Sequence, residues 1–185
     1  MKHGKRPYVC PAEFAGSLDN SLRRLVQKPH KILGSWIKSG MKVLDLGCGP
    51  GFFSVAIAEM TGDTGSVIAA DLQEGMLEKL KNKIKGKHLE NRVELHKCQE
   101  DRIGVSEKVD FILAFWMIHE VPDQDKLFIE LKSLLNPGGR IMIAEPKFHV
   151  TKRAFNEMIA RLEKAGFTIS EWPKVFVSRA IIASH

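Results

Sequence analysis

The 185-residue chain is poor in cysteine, with only three scattered thiols, Cys10, Cys48 and Cys98. An odd number without a ligand-type spacing fits reduced thiols and predicts no metal site. The chain also lacks the run of about 20 apolar residues that a membrane-spanning helix needs. Residues 1–7 are basic but have no apolar segment behind them, which argues against a secretory signal. These absences predict a cytoplasmic protein without a membrane span.

Internal repeats, low-complexity tracts and linkers are also lacking. The hydrophobic content of 44% and the charged content of 27% are those of an ordinary globular protein, so we expect one domain over residues 1–185. The net charge of +6 is concentrated in residues 1–31, where seven Lys and Arg stand against two carboxylates. Such an arm suits an anionic substrate, RNA or an acidic membrane surface, although a solvated surface is the commoner explanation.

The glycine-rich stretch at residues 43–54 organises the rest of the chain. An apolar run ends at Asp45, glycines follow at Gly47, Gly49 and Gly51, and an amphipathic segment comes next. This pattern predicts a strand, a tight turn whose N–H groups approach a ligand, and a helix with its positive end at that ligand. A carboxylate two residues before the first glycine suits a ligand with a positive charge and disfavours a pyrophosphate.

Strand and helix patterns alternate along the remainder, which predicts an α/β doubly wound sheet. Strands are expected at 42–46, 66–71, 92–97, 109–115, 140–145, 167–172 and 175–184, the last two forming an antiparallel hairpin. Asp19 and Pro29 are expected to begin two cap helices, the second ending at Gly40. Residues 1–38 would then be an N-terminal arm with a helical cap, and residues 39–185 the Rossmann-like core.

Ligands of such sheets lie outside the carboxyl ends of the strands. Four segments should meet at that edge: residues 45–51, 71–72, 99–101 and 115–121. The cofactor or substrate site is expected there.

The chain resembles the class I S-adenosylmethionine-dependent methyltransferases from about residue 30 onward. The resemblance rests on the D-x-G-C-G-x-G sequence at residues 45–51, on Asp71 at the end of the second strand, and on the Asn-Pro-Gly-Gly stretch at residues 136–139. It implies a seven-stranded sheet in the order 3-2-1-4-5-7-6 with strand seven antiparallel.

The resemblance also implies which residues bind S-adenosylmethionine. The backbone of the glycine turn would contact the methionine part, Asp45 would support its ammonium group, and Asp71 would accept hydrogen bonds from the ribose hydroxyls. Leu72 would lie against the adenine, with Gln99 near its amino group. The full set of expected cofactor residues is Asp45, Gly47, Cys48, Gly49, Gly51, Asp71, Leu72, Gln99, Glu100 and Phe115.

His119 and Glu120 are the candidate bases, because they follow strand four at the reactive end of the cofactor. A histidine at a helix start, satisfied by local hydrogen bonds, is an equally common alternative. Tyr8, Phe14 and Trp116, together with Cys10, are candidate apolar walls for an acceptor, and Arg23 and Arg24 are possible anion clamps. The short stretch after strand five leaves no room for an inserted substrate lid.

The first hypothesis is methyl transfer to a small molecule, by an enzyme similar to the ubiquinone and menaquinone group. The second keeps the methyl donor but takes RNA or a protein as acceptor through the basic arm. A nicotinamide-dependent oxidoreductase and a non-catalytic cofactor-binding module are the remaining alternatives. Asp45 ahead of the glycines and the Pro-Gly-Gly stretch both favour the methyl donor over the nicotinamide.

Overall fold

A computed structural model describes residues 27–185 of the chain. Within that part, the helices are α1 Pro29–Leu33, α2 Phe52–Thr61, α3 Glu74–Ile84, α4 Gln124–Leu134 and α5 Lys152–Lys164. The strands are β1 Lys42–Leu46, β2 Ser66–Asp71, β3 Val93–Lys97, β4 Val109–Phe115, β5 Leu135–Pro146, β6 Thr168–Glu171 and β7 Ser178–Ser184. Two 3-10 turns cover Glu90–Arg92 and Ile118–Glu120.

The seven strands form one sheet in the order β3-β2-β1-β4-β5-β7-β6, as predicted. Strands β1 to β5 are mutually parallel, and β7 runs antiparallel to both β5 and β6. The predicted fold class, strand order and closing hairpin are therefore confirmed.

The central strands are apolar at nearly every position because both faces of the sheet are covered by helices. Successive residues point to opposite faces, so Leu44 and Ile112 pack in one core cluster while Val43 and Phe111 pack in the other. The side chains of these four residues are at most 1% exposed. Burial on both faces places β1 and β4 at the centre of the molecule.

The predicted helix from Pro29 to Gly40 is wrong in length, because α1 ends at Leu33. Gly34 follows at once, and glycine is a poor helix former. The backbone amides of Trp36 and Ile37 both donate hydrogen bonds to the Leu33 carbonyl, which closes a turn after the helix. Ile37 still packs in the core, with 3% of its surface exposed.

The start of β5 was also predicted wrongly, at Arg140 after a turn. The extended chain begins at Leu135, which pairs with Val109 before the register shifts and Arg140 pairs with Phe111. Gly138, with φ of +78°, lies in this irregular stretch. The Pro-Gly-Gly stretch is therefore a distortion within β5 rather than a turn that precedes it.

The closing hairpin is shorter than predicted, with β6 ending at Glu171 and β7 beginning at Ser178. The backbone leaves the extended conformation at Val177, where φ is +49°, so the connection spans residues 172–177. Strand β3 begins at Val93, one residue later than predicted, since Arg92 belongs to a 3-10 turn.

Helix α4 begins where the sequence predicts it, with the Asp123 side chain accepting a hydrogen bond from the Lys126 amide at 3.0 Å. Residues 147–151 alone join β5 to α5, which agrees with the expected absence of an inserted lid. Over residues 27–185 no helix combines the length and the apolar character needed to cross a membrane.

Candidate functional site

The turn between β1 and α2 is built on three glycines in the left-handed region. The φ angles are +69° at Gly47, +55° at Gly49 and +79° at Gly51. A Cβ added to Gly51 would lie 2.2 Å from Leu80 Cδ1, and one added to Gly47 would lie 2.9 Å from Met117 Cβ. At Gly49 a Cβ would meet nothing within 4 Å. Gly47 and Gly51 are thus required by packing, whereas Gly49 faces open space beside the turn.

Asp71, at the end of β2, holds this turn in place. Its Oδ2 accepts from the Gly49 amide at 2.9 Å, and its Oδ1 accepts from the Gln73 amide at 2.8 Å. Burial raises the pKa of the Asp71 carboxyl, against the lowering effect of the Gln73, Gly49 and Leu72 amides. A carboxylate has about four lone-pair sites, so Asp71 keeps capacity for a further donor besides these amides.

Asp45 lies deeper, with 2% of its surface exposed. The Ser54 hydroxyl of α2 donates to Asp45 Oδ2 at 2.5 Å. This bond ties the end of β1 to the first turn of the following helix. It also fixes the position of a buried carboxyl group before the glycine turn.

Both thiols near the turn have a raised pKa, which disfavours the thiolate form. Burial, with the charges of Asp45 and Asp71, raises the pKa of Cys48 well above its ordinary value. Burial, with the charges of Asp71 and Glu130, raises the pKa of Cys98 to about 12. Since the thiolate is the nucleophile and metal ligand, neither cysteine suits either role.

Beyond Asp71, the predicted adenine side has one apolar and two polar groups. Leu72 is 38% exposed, which leaves an apolar surface beside the carboxylate. Gln99 and Glu100 are both exposed. The Gln99 side-chain carbonyl accepts from Arg102 Nε at 2.8 Å, so the oxygen expected to receive an adenine amino group already has a donor.

At the end of β4, several aromatic rings pack together at the carboxyl edge of the sheet. Phe115 lies between Phe53 and Trp116, with ring centroids 4.4 Å and 5.4 Å away. Trp116 has φ of +62°, which is unusual for a bulky residue. Its indole N–H donates to Ser178 Oγ at 2.9 Å, and its ring meets Phe148 edge-on at 5.5 Å. These contacts hold a strained backbone in place and present the indole at the edge of the sheet.

The predicted base His119 has a buried partner. His119 Nδ1 is hydrogen-bonded to Glu145 Oε2 at the end of β5, and the Ile118 amide donates to Glu145 Oε1 at 2.9 Å. The His119 side chain is 18% exposed and that of Glu145 2%. The Nδ1 atom is thus engaged by the carboxylate, and Nε2 is the ring nitrogen that Glu145 does not contact.

The environment of His119 favours its protonated form. Burial alone would lower the pKa of His119, but the hydrogen bond and charge of Glu145, with the charge of Glu120, outweigh it and raise that pKa. The His149 ring lies 4.8 Å from the His119 ring, between centroids. The effect of the second predicted base, Glu120, on His119 is that of its charge, which raises the pKa of His119.

Glu145, the partner of His119, was not among the predicted site residues. The signal was present, since an apolar run ends in a carboxylate at Glu145 as it does at Asp45 and Asp71. Tyr8, Phe14, Cys10, Arg23 and Arg24, which were predicted to wall or clamp the acceptor, lie outside the described residues, as does the helix expected at Asp19.

The described residues fit S-adenosylmethionine. Gly49 leaves room where a side chain would stand, Asp71 has acceptor capacity for a ribose, and Leu72 offers an apolar surface for a base. Among residues 27–185 there is no group of three or more His, Cys, Asp and Glu side chains placed to hold a metal ion.

Comparisons with known proteins identify the family of the chain. Residues 37–176 match the family described as a methyltransferase domain. The chain is 27% identical over 133 residues to a ubiquinone/menaquinone biosynthesis C-methyltransferase of a Shewanella species, covering 70% of the chain and 53% of that relative. It is 30% identical over 110 residues to the demethylmenaquinone methyltransferase of Lactobacillus johnsonii, covering 59% and 45%. The chain spans about half the length of these curated relatives.

Solved structures extend the similarity over nearly the whole chain. A SAM-dependent methyltransferase from Aquifex aeolicus superposes with a TM-score of 0.84 at 28% identity, covering 94% of this chain and 97% of that one. A methyltransferase from Methanococcus maripaludis, described as putative, shares the fold with a TM-score of 0.81 at 18% identity, covering 100% and 96%. The predicted resemblance is confirmed: this chain belongs to the methyltransferase domain family of S-adenosylmethionine-dependent enzymes.

Proposed function

We propose that this protein transfers the methyl group of S-adenosylmethionine to a small molecule, with His119 accepting the proton that the acceptor loses. The observation that carries the proposal is the arrangement of two units along one edge of the sheet. The glycine turn with Asp71 lies at the ends of β1 and β2, and the His119–Glu145 pair lies at the ends of β4 and β5.

The cofactor residues are assigned by what each can offer. The Gly47 to Gly51 backbone would face the methionine part, with the buried Asp45 carboxylate beneath it. Asp71 would accept from the ribose, and Leu72 would contact the base. Bound S-adenosylmethionine supplies a methyl group on a sulfonium, which is already activated for displacement. The protein therefore contributes mainly position and exclusion of water.

His119 would serve an acceptor that must lose a proton. The Nε2 atom takes that proton, and Glu145 stabilises the imidazolium through Nδ1–H, in the way a buried carboxylate supports a catalytic histidine. Glu120, which lies one residue further and adds its charge to His119, is assigned no direct contact with the acceptor. Trp116, held at the same edge by Ser178, would form an apolar wall for the acceptor.

A small-molecule acceptor is supported by the relatives, whose names describe C-methylation in ubiquinone and menaquinone biosynthesis. Carbon methylation of an aromatic ring requires loss of a ring proton, a role that His119 fits. RNA or a protein remains the alternative acceptor, with the basic residues 1–31 as the expected contact. A cytoplasmic location also stays a prediction, to be checked by cell fractionation.

The test has two stages, so that cofactor binding and methyl transfer are separated. Calorimetry with S-adenosylhomocysteine should show one site, and Asp71→Ala should weaken binding by about a hundredfold, since the ribose loses its acceptor and the Gly49 amide loses its anchor. Asp125→Asn is the matched control, because Asp125 is a carboxylate on α4 that pairs with Arg161 at 3.1 Å, away from the glycine turn.

The second stage follows tritium from the methyl group of S-adenosylmethionine. Reduced demethylmenaquinone, total tRNA and a soluble protein extract are offered in separate reactions. Label in the quinol fraction supports the proposal. Label in tRNA or protein alone would show that the acceptor is a macromolecule and not a small molecule. Failure to bind S-adenosylhomocysteine would contradict the proposal as a whole.

A further inference from the structure

The connection between β6 and β7 carries an unusual surface. Trp172 is 62% exposed, Phe176 58% and the neighbouring Phe148 74%. Among residues 27–185 five large apolar side chains are exposed, and these three are the aromatic ones. We call this surface, together with Lys147, Lys152 and Lys174, the aromatic–basic face.

The fold places this face at the carboxyl edge of the sheet. Ser178, which begins β7, pairs with Pro146 at the end of β5, so residues 172–177 extend beyond that edge. The Lys147 amide donates to the Val177 carbonyl at 2.8 Å, which brings Phe148 and the connection together. Phe148 in turn contacts Trp116. The face is therefore continuous with the edge that holds His119.

A groove of about 780 Å³ runs between the connection and the start of α5. Among the described residues that line it are four cations, Lys147, Lys152, Lys174 and Arg179, and no carboxylate. Glu171, next to Trp172 in sequence, is engaged with Arg140 at 3.5 Å, and Glu157 of α5 with Arg153 at 2.9 Å. The lining is positive, so its partner should be negative.

The apolar part of the face favours an anionic lipid bilayer over a nucleic acid as the negatively charged partner. The aliphatic part of the groove lining, Pro173, Val175 and Val177, offers no hydrogen bond to the edge of a nucleic acid base, and Asn156 is the one side-chain amide in the described lining. The Ser178 hydroxyl already accepts from Trp116 and donates to the Phe176 carbonyl. Protruding Trp and Phe side chains interleaved with Lys match the interface of an anionic bilayer, where rings enter the headgroup region and ammonium groups meet lipid phosphates.

We propose that the aromatic–basic face binds the surface of an anionic lipid bilayer. The side chains of Trp172, Phe176 and Phe148 enter the interface, and the lysines contact the headgroups. This binding requires neither the cofactor nor methyl transfer, so its failure would leave the proposed reaction untouched.

The experiment is sedimentation of the full 185-residue chain with vesicles, without S-adenosylmethionine. An equimolar mixture of phosphatidylglycerol and phosphatidylcholine should retain the protein, whereas phosphatidylcholine alone should not. Trp172→Ala and Phe176→Ala should each weaken binding by about tenfold, because the apolar area buried in the interface is lost. Lys147→Glu and Lys174→Glu should each weaken it by at least about fivefold and reduce its dependence on salt.

Two matched controls lie elsewhere on the protein. Ile129→Ala removes an apolar side chain of α4 that is 65% exposed, and Lys87→Glu reverses an exposed charge after α3. Both variants should bind the vesicles as the parent does. The basic residues 1–31 are the same in every variant, so their contribution cancels.

Tryptophan fluorescence keeps the test independent of how well the variants fold. Anionic vesicles should shift the emission of the parent to shorter wavelength, and Trp172→Phe should remove most of that shift while still sedimenting with the vesicles, since Trp116 beside Phe148 accounts for the remainder. Equal losses in the control variants would overturn the proposal. The proposal would also be overturned if the parent failed to bind vesicles but bound polyuridylate, and if the Trp172 and Phe176 variants lost that polyuridylate binding.

Discussion

The two halves of the carboxyl edge are built in different ways. In the cofactor half, formed by residues 45–54 and 71–73, the glycine turn is held by backbone amides that donate to a carboxylate, as in Gly49 to Asp71, and the Ser54–Asp45 side-chain pair lies behind it. In the acceptor half, formed by residues 115–120, 145–149 and 178, the functional side chains are held mainly by other side chains, as in His119 to Glu145 and Trp116 to Ser178, with the Ile118 amide also donating to Glu145. The first half shapes a turn, and the second half positions ionisable and aromatic side chains.

This difference has a consequence for what each half tolerates. A backbone turn depends on residues that permit φ above zero, and a change there alters shape. A buried side-chain pair depends on charge and proton position, so a change there alters chemistry while the backbone stays in place. Variants in the two halves should therefore separate cofactor binding from turnover.

The largest effect should come from His119→Ala. Removing a general base lowers turnover by about a hundredfold to ten-thousandfold, while S-adenosylhomocysteine should bind as before because His119 lies outside the cofactor half. The measurement pairs initial rates on reduced demethylmenaquinone with calorimetry. His88→Ala, an exposed histidine after α3, is the control. Unchanged turnover would mean that the acceptor needs no base.

Within the cofactor half, Gly51→Ala and Gly49→Ala should differ. Alanine at Gly51 would place its Cβ 2.2 Å from Leu80 Cδ1, so we expect a loss of about 3 kcal/mol of stability from overpacking and backbone strain. Alanine at Gly49 meets no such contact and should cost only the strain, about 1–2 kcal/mol.

The Gly49→Ala methyl group would instead occupy the space assigned to the cofactor. We expect S-adenosylhomocysteine to bind at least about tenfold more weakly to this variant. Urea unfolding and calorimetry measure the two effects. If Gly49→Ala bound the ligand normally, the open space beside Gly49 would not be the cofactor site.

Glu145→Gln should have a smaller effect on the acceptor half than His119→Ala. Glutamine keeps an acceptor for the Ile118 amide but removes the negative charge, so turnover should fall by about tenfold. The parent needs His119 neutral, so its rate should rise with pH through the raised pKa of His119. Losing the carboxylate lowers that pKa, and the rise in the pH–rate profile should move to lower pH. A profile that stays in place would leave Glu145 with a structural role only.

The fold was predictable because burial on both faces gives β1 and β4 continuous apolar runs, and because the closing strands are separated by only a short stretch. The cofactor half was predictable for a related reason. Its signals, the glycines and the carboxylates at strand ends, are local features of the sequence. Asp71 and Gly49 are brought together merely by the two adjacent strands β1 and β2.

The acceptor half was predictable only in part. His119 was recognised from its place after β4, but its bond to Glu145 depends on the register of β4 against β5, which no local pattern specifies. Trp116 was recognised as a wall, yet its positive φ and its bond to Ser178 arise from the return of β7 beside β5. The helix at Pro29 was overestimated because its apolar spacing continued past Gly34.

The smallest effect concerns stability and follows from the same pair. The folded state raises the pKa of His119, so the stabilisation by Glu145 is complete below the unfolded pKa of about 6.5 and is lost as pH rises through the folded value. Glu120 and His149 also face His119, so the comparison is made with His119→Gln, which leaves both unchanged. The parent should exceed this variant by about 1 kcal/mol in urea unfolding at pH ~5.5, the size of a single hydrogen bond, and by less at pH ~9. A difference that grew with pH would mean that the pair is held by the neutral imidazole, and the raised pKa would lose its physical basis.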